Sequence, residues 1–165
     1  MRKMLSTALL MCTVALLSTL SMPVHATPAM TALGSFDYWY TPTGVREADG
    51  NTFLYATEHE HWIGDFKGSS EAVFRVELFS SGFWNVWLRS TFTGMVDGKS
   101  GTLVIQLVGK KPGGEDWYGL WVIISGTDGL ANLRGQGIWW GPGFRSETKI
   151  PGDPDIFYSG NIHFD

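Results

Sequence analysis

Cysteine is nearly missing from this sequence: Cys12 is the only one in 165 residues, and it lies close to the N-terminus. A single cysteine excludes an internal disulfide and the paired-cysteine motifs of zinc and redox sites. Charged residues are also scarce, at 17% of the chain, and acidic residues outnumber basic ones by 16 to 12. An acidic chain of this kind is unsuited to binding nucleic acid or anionic lipid. Disulfide-stapled scaffolds and nucleic-acid-binding proteins are therefore excluded.

Helical periodicity and familiar enzyme motifs are missing as well. No stretch of ordinary helix length has apolar residues that repeat with the period of a helix. There is no Ser-His-Asp order and no kinase motif set, and Gly135-Gln136-Gly137 lacks the third glycine and the following helix of a dinucleotide fingerprint. The sequence therefore predicts no cofactor.

The N-terminus has the pattern of a secretory signal peptide. Arg2 and Lys3 precede an apolar run from Met4 to Leu20, and small residues lead to Ala26. We predict cleavage after Ala26, which removes Cys12, and export to the periplasm or the extracellular space. Residues 27–165 then form a single domain. An uncleaved anchor is the alternative, but the apolar run is shorter than a bilayer span of ~20 residues, so we expect no stable membrane insertion after cleavage.

The rest of the chain consists of short apolar–polar alternations separated by glycine-containing turns. Alternation over Glu71–Phe79 and Phe83–Phe92, with Gly82 between them, predicts a hairpin. Val96-Asp97-Gly98-Lys99 is the strongest hairpin-turn signal in the chain. Eight extended runs of this kind predict an all-β protein, a single antiparallel β-barrel of about eight strands. A β-sandwich is the alternative.

Two further runs predict a strand followed by a turn and a strand with two buried faces. Leu33–Tyr40 predicts the first strand, and Thr41-Pro42-Thr43-Gly44 predicts a turn directly after it. Trp117–Ser125 carries large residues at both alternating positions, which predicts a strand covered on both faces.

The stretch from Ser125 to Gly137 contains four glycines among few large side chains. Glycine permits positive φ angles and close approach of two backbones, so this stretch is predicted to reverse the chain. Leu130 and Leu133 are three residues apart and are predicted to cap one end of the barrel. The glycines are predicted to be structural, with no residue of the stretch taking part in chemistry.

The order of these motifs resembles the allene oxide cyclase-like barrels. Ser125-Gly126-Thr127, two leucines and Gly135-Gln136-Gly137 are similar to a late signature of that superfamily. Further similar stretches are Trp62–Ser69, Phe92–Thr102 and Tyr158–Ile162. A largely uncharacterised bacterial branch is the most similar. The resemblance implies a calycin-like barrel. In its plant members, an unstable fatty-acid epoxide is cyclised inside such a barrel.

Four aromatic residues are candidates for the wall of an interior ligand cavity. Phe74 and Trp84 lie on apolar faces of the predicted hairpin, and Tyr118 and Tyr158 share their faces with aliphatic residues. Ligand sites combine apolar walls with a few polar groups, which a tyrosine hydroxyl supplies. The alternative is that these side chains only pack in the core.

Glu58-His59-Glu60-His61 is the most polar run in the chain. On a strand His59 and His61 share one face, and the two glutamates share the other. Two histidines supply half of a metal site, and His163 would be a third ligand if the last strand lay nearby. The resemblance carries no metal there, so we predict no metal site and expect a solvated strand of alternating charge.

These observations favour an exported barrel that binds a small apolar ligand or a protein partner without catalysis. The alternative is an isomerase or cyclase that acts on a lipophilic substrate inside the barrel. A cavity with a polar group near its floor would favour the enzyme, whereas a filled barrel would favour structural or partner-binding roles.

Overall fold

The protein is an eight-stranded antiparallel barrel in a computed structural model that describes residues 28–143 and 155–165. The strands are β1 Met30–Ala48, β2 Asn51–Gly64, β3 Phe66–Leu78, β4 Trp84–Val96, β5 Lys99–Lys111, β6 Trp117–Gly126, β7 Leu133–Gly141 and β8 Ile156–Phe164, with a 3₁₀ turn at Asp128–Leu130. Each strand pairs with its neighbour in the sequence, and β8 pairs back onto β1, so the sheet closes. The predicted all-β barrel is confirmed. The predicted signal peptide over residues 1–26 lies outside the described residues.

Tight turns between consecutive strands follow from local sequence. Asp49 and Gly50 have φ angles of 52° and 76°, and Asp97 and Gly98 have φ angles of 50° and 73°. Two successive left-handed residues make the turn whose twist suits a two-residue hairpin, and Asp-Gly is a preferred pair for it. The hairpin predicted at Asp97-Gly98 is confirmed. In the described part of the chain, no helix is long and apolar enough to cross a membrane.

The alternation predicted for β3 and β4 sets which side chains fill the barrel. Ala72, Phe74 and Val76 are buried inside it, whereas Glu71 and Arg75 on the same strand face outward. Burying the apolar face of each strand in one shared interior is the main stabilising term for such a fold.

The strand β1 is longer than the sequence predicts. It continues to Ala48 through the predicted turn at residues 41–44, where the pairing with β2 shifts register between Pro42 and Gly44. Proline lacks the N–H that a strand interior needs, and a bulge on an edge accommodates it. Beyond Phe36, the described pairings of β1 are with β2 alone, which provides that edge.

The strand β6 is covered on one face only, so the prediction for Trp117–Ser125 is wrong. Trp117 and Trp121 are buried in the barrel, but Leu120 is 60% exposed and Ile124 is 48% exposed on the outer face. A closed sheet has a single interior. No second layer covers the outer face of β6 in the part of the chain that the structure describes.

One end of the barrel, which we call the filled end, is closed by buried apolar side chains. Leu130 and Leu133 are fully buried there, and they join Phe66, Val96 and Leu103 in the core. Leu130 lies on the 3₁₀ turn that connects β6 and β7 and packs over Gly101. The prediction that the two leucines cap one barrel end is confirmed.

Paired glycines let aromatic rings lie directly on the barrel wall. Gly137 on β7 is opposite Gly160 on β8, and the Trp121 ring covers both. A Cβ atom at Gly137 would lie 2.0 Å from the carbonyl oxygen of Ser159. The Trp121 indole donates hydrogen bonds to the carbonyls of Ile138 and Ser159, at 3.1 and 3.2 Å. These glycines are therefore required for packing, as the sequence predicted for Gly137.

Candidate functional site

Two glutamates of β2 point into the barrel. Alternation along β2 places Glu58 and Glu60 on the same face as the buried residues Ala56 and Trp62. Glu58 is 6% exposed and Glu60 is 1% exposed. Ionised side chains are rarely buried to this extent without compensating partners. The expected solvated strand of alternating charge is therefore wrong, because its acidic face is part of the core.

Glu60 is held by donors from three strands. Its Oε2 atom accepts hydrogen bonds from the hydroxyls of Ser70 on β3 and Ser90 on β4, the latter at 2.5 Å. The indole N–H of Trp62 donates to the same oxygen at 3.1 Å. Burial raises the pKa of Glu60, and these three hydrogen bonds act in the opposite direction because they stabilise the carboxylate.

Glu58 lacks such a set of donors. Its pKa is raised well above the usual range, first by burial and then by the negative charge of Glu60. A hydrogen bond with Glu60 and the charge of Asp155 raise the pKa of Glu58 further. Two interacting carboxyl groups titrate as a pair. The arrangement therefore favours a proton on Glu58 and the negative charge on Glu60.

Glu58 also forms part of the wall of an interior cavity of about 50 Å³. This cavity lies at the end of the barrel opposite the filled end, and we call that end the cavity end. Eleven of the described residues line it, and Glu58 is the one carboxyl group among them. Five of the eleven are aromatic: Phe36, Tyr38, Phe74, Trp117 and Trp139. The other lining residues are aliphatic. An apolar wall with few polar groups is the usual composition of a small-molecule site.

The four aromatic candidates from the sequence divide among different places. Phe74 lines the cavity. Trp84 is half-buried beside it, with its ring 6.0 Å from that of Trp117. Tyr118 is 43% exposed on the outer face of β6, near Lys110. The placement of Tyr118 in the cavity is therefore wrong, because the inward positions of β6 belong to Trp117 and Trp121.

Tyr158 lies inside the barrel but contributes to its packing. It is 2% exposed, and its ring stacks on Phe66 at 5.3 Å. Its hydroxyl accepts a hydrogen bond from the backbone N–H of Phe66 at 2.9 Å and donates to the carbonyl of Ile63 at 3.4 Å. Burial raises the pKa of Tyr158 to about 12. The side chain is not among those that line the cavity.

The histidines lie on the outer face of β2, as the alternation predicts. His59 is exposed, and its Nδ1 atom lies 2.7 Å from a carboxylate oxygen of Glu71. His163 is on β8, which does not pair with β2, and its Nε2 atom lies 3.2 Å from a carboxylate oxygen of Asp165. Among residues 28–143 and 155–165, no group of three or more acidic, histidine or cysteine side chains is arranged to hold a metal ion.

A second concave region lies outside the barrel, over β5, β6 and β7. It has a volume of about 630 Å³, and its floor contains Val108, Leu120, Ile138 and Trp140. Tyr118 and Lys110 form part of its edge. The described residues that line the region include no acid, and several of them are exposed apolar side chains. Exposed apolar surface of this kind is typical of sites that contact other molecules.

The sequence interpretation missed the acidic pair and its supporting serines. A usable signal was present, because Glu58 and Glu60 continue the inward alternation of Ala56 and Trp62. The serines carry no comparable signal, since a small polar residue in an apolar row is also common on exposed strands. Their role depends on register, which brings Ser70 opposite Glu60.

Fold and site together define a small closed barrel with a buried acidic pair at an interior cavity. The chain belongs to the DUF3224 family, described as a protein of unknown function, whose family model matches residues 32–139. A solved structure of a DUF3224 protein of unknown function from Shewanella oneidensis MR-1 is similar, with a TM-score of 0.67 and 17% identity. The match covers 83% of this chain and 98% of that one, and it shows a shared fold. No curated protein matches the sequence.

Proposed function

We propose that this protein is a ligand-binding barrel that takes a small, mainly apolar molecule into the cavity beside Glu58. The observation that carries the proposal is a carboxyl group, 6% exposed, in an otherwise apolar cavity wall. A buried polar group costs stability unless it is satisfied, so it is expected to engage a ligand atom. Aromatic and aliphatic side chains around it supply the apolar contacts.

Cavity size limits the ligand. A volume of about 50 Å³ exceeds the 10–15 Å³ that one water needs but falls well below the roughly 300–1,000 Å³ of drug-sized sites. A whole fatty-acid chain therefore does not fit inside this barrel. The proposed ligand is a small molecule, or a larger one that inserts one end.

The test is native mass spectrometry of protein purified from its host under gentle conditions, followed by the same measurement on Glu58→Gln. We expect a small molecule retained by the parent and lost from the variant. Glu71→Gln, on the outer face of β3, is the matched control and should retain it. Equal retention by all three proteins would contradict the proposal.

Catalysis inside the barrel is the second candidate, in line with the resemblance to the allene oxide cyclase-like superfamily. The observation in its favour is the raised pKa of Glu58 in an apolar site, because a carboxyl group with a raised pKa can act as a general acid. Incubation with a small unsaturated epoxide, short enough for a cavity of about 50 Å³, tests it. Excess of one enantiomer of the cyclised product, lost in Glu58→Gln, would establish the enzyme; a racemic product would exclude this reaction.

A protein partner is the other form of the non-catalytic proposal, and it would use the outer region over β5, β6 and β7. The interior is favoured because only there does a buried acid accompany the apolar wall. Binding to a partner through the outer region predicts that Leu120→Ser weakens the complex while Glu58→Gln does not, as measured by co-purification from the native host.

We also propose that the chain is exported and that residues 27–165 are the mature protein. The support is the signal-peptide pattern of residues 1–26. N-terminal sequencing of protein from the native host should begin at Thr27. An intact Met1 on cytoplasmic protein would contradict the proposal.

A further inference from the structure

The interior of the barrel contains acids without bases. Among the described residues, six polar side chains are buried: three acids and three serines, namely Glu58, Glu60, Asp155, Ser35, Ser70 and Ser90. No lysine, arginine or histidine is in that set. A compact interior normally balances a buried charge with an opposite one or with hydrogen-bond donors. Hydrogen-bond donors stabilise the Glu60 carboxylate. The remaining question is what balances a negative charge on Glu58.

The neighbours that shift the pKa of Glu58 are acids. Glu60 and Asp155 both raise it, and no ion pair joins Glu58 to a basic side chain in the described ranges. It faces the cavity from β2, with Tyr38 of β1 also lining the cavity and Asp155 just before β8 adding negative charge. The polar part of this cavity therefore offers oxygen atoms and negative potential.

The rest of the wall suits a cation as well. Five aromatic rings line the cavity, and an aromatic face attracts a positive charge within about 6 Å of its centroid. The indole N–H of Trp139 donates to the carbonyls of Val108 and Leu120, at 3.2 Å each, so this donor is committed to the barrel wall. Aromatic rings together with a carboxyl group form the kind of cage that binds organic ammonium ions.

We propose that the cavity binds the ammonium group of a small alkylamine, with Glu58 as its counter-ion and the aromatic rings around it. This inference rests on the proposed ligand-binding function and names the chemical class of the ligand. A cavity of about 50 Å³ accommodates an ammonium group with a short alkyl chain. The ligand enters protonated, Glu58 gives its proton to solvent, and the resulting carboxylate pairs with the ammonium. Binding therefore releases a proton at any pH at which Glu58 is protonated in the free protein.

The experiment compares three probes of nearly equal size by isothermal titration calorimetry on the full chain: propylammonium, 1-propanol and propionate. We expect propylammonium to bind at least ~10-fold more tightly than 1-propanol, because cation–π and charge-assisted contacts add to the shared apolar contact. Propionate should not bind. Titration in two buffers of different ionisation enthalpy should show release of a proton, and affinity should rise with pH while the amine stays protonated.

Two variants and one control separate the site from general attraction to an acidic surface. Glu58→Gln should lose the preference for propylammonium and the proton release, whereas Glu71→Gln should keep both. Phe74→Leu removes one ring and should weaken propylammonium binding more than 1-propanol binding. A thermal melt of each variant verifies that it is folded.

Each of the other outcomes contradicts the inference. The outcomes differ in whether they also contradict the proposed ligand-binding function. If 1-propanol binds as tightly as propylammonium and depends on Glu58, the ligand is neutral and the proposed binding function survives. If propylammonium binds equally to the parent and to Glu58→Gln, the acid is not its counter-ion. If no probe binds, both this inference and the small-ligand function fail.

Discussion

The two ends of the barrel differ in what occupies their interiors. At the filled end, Leu130 and Leu133 are fully buried, and the Tyr158 hydroxyl is paired with backbone atoms. At the cavity end, Glu58 is buried beside open volume. The filled end gains stability from packing, whereas the cavity end gives up packing and buries an acid. A feature that lowers stability, such as a buried acid beside a cavity, is expected to have a functional role.

The largest expected effect tests the close contacts on which the filled interior depends. Gly137→Val should prevent folding or destabilise the barrel severely, because the new Cβ would lie within 2.0 Å of the Ser159 carbonyl oxygen and would also meet Trp121. Gly44→Ala is the control, since its Cβ would meet no atom within 4 Å. Circular dichroism and urea unfolding measure both. Normal folding of Gly137→Val would show that the paired glycines are not required.

Leu133→Ala tests the filled end directly. Truncation of a fully buried leucine should lower the free energy of unfolding by roughly 2–5 kcal/mol. Arg134→Ala, at the adjacent outward position, should change it by less than about 0.5 kcal/mol, since surface ion pairs contribute little. Urea denaturation gives both values. Equal melting of Leu133→Ala and the parent would contradict the role of this leucine as a cap.

A pair of identical substitutions compares the two ends. Val96→Ile adds a methyl group at the filled end, where Val96 is fully buried, and should destabilise by about 1–3 kcal/mol. Val76→Ile adds the same group beside the cavity, where open volume can receive it. We expect its free energy of unfolding to stay within about 1 kcal/mol of the parent. Similar losses at both positions would mean that the ends are equally well packed.

The last expected effect is the pH dependence that Glu58 adds. Its pKa is raised in the folded state, so between the unfolded and folded pKa values the folded protein binds more protons. Stability should therefore fall as pH rises from about 4.3 toward the folded pKa, by up to about 1.4 kcal/mol per pH unit. Glu58→Gln removes this slope and should be more stable than the parent at high pH.

Urea unfolding of the parent and Glu58→Gln across that range measures the difference. Glu71→Gln, which is exposed, should follow the parent at every pH. Parallel pH profiles for the parent and Glu58→Gln would show that the acid is not buried in solution.

The cavity end was also the harder end to predict. Local pattern predicts the apolar rows of β3 and β4, because one buried face imposes a period of two. The spacing of three between Leu130 and Leu133 predicts the cap. Sequence alone places Glu58 in solvent, because charge is usually exposed. It places Tyr118 in the interior, because β6 carries large residues at both alternating positions and alternation does not distinguish its faces.

Local sequence specifies most of the strands, the Asp-Gly turns and the antiparallel order, since these depend on neighbours along the chain. The site depends on contacts between distant parts of the chain. Ring closure between β1 and β8 defines a single interior, which makes one face of β6 outer and the acidic face of β2 inner. Register between strands then brings Ser70 and Ser90 to Glu60 and leaves Glu58 at the cavity. These contacts join residues that are far apart in sequence, and no local pattern encodes their distance.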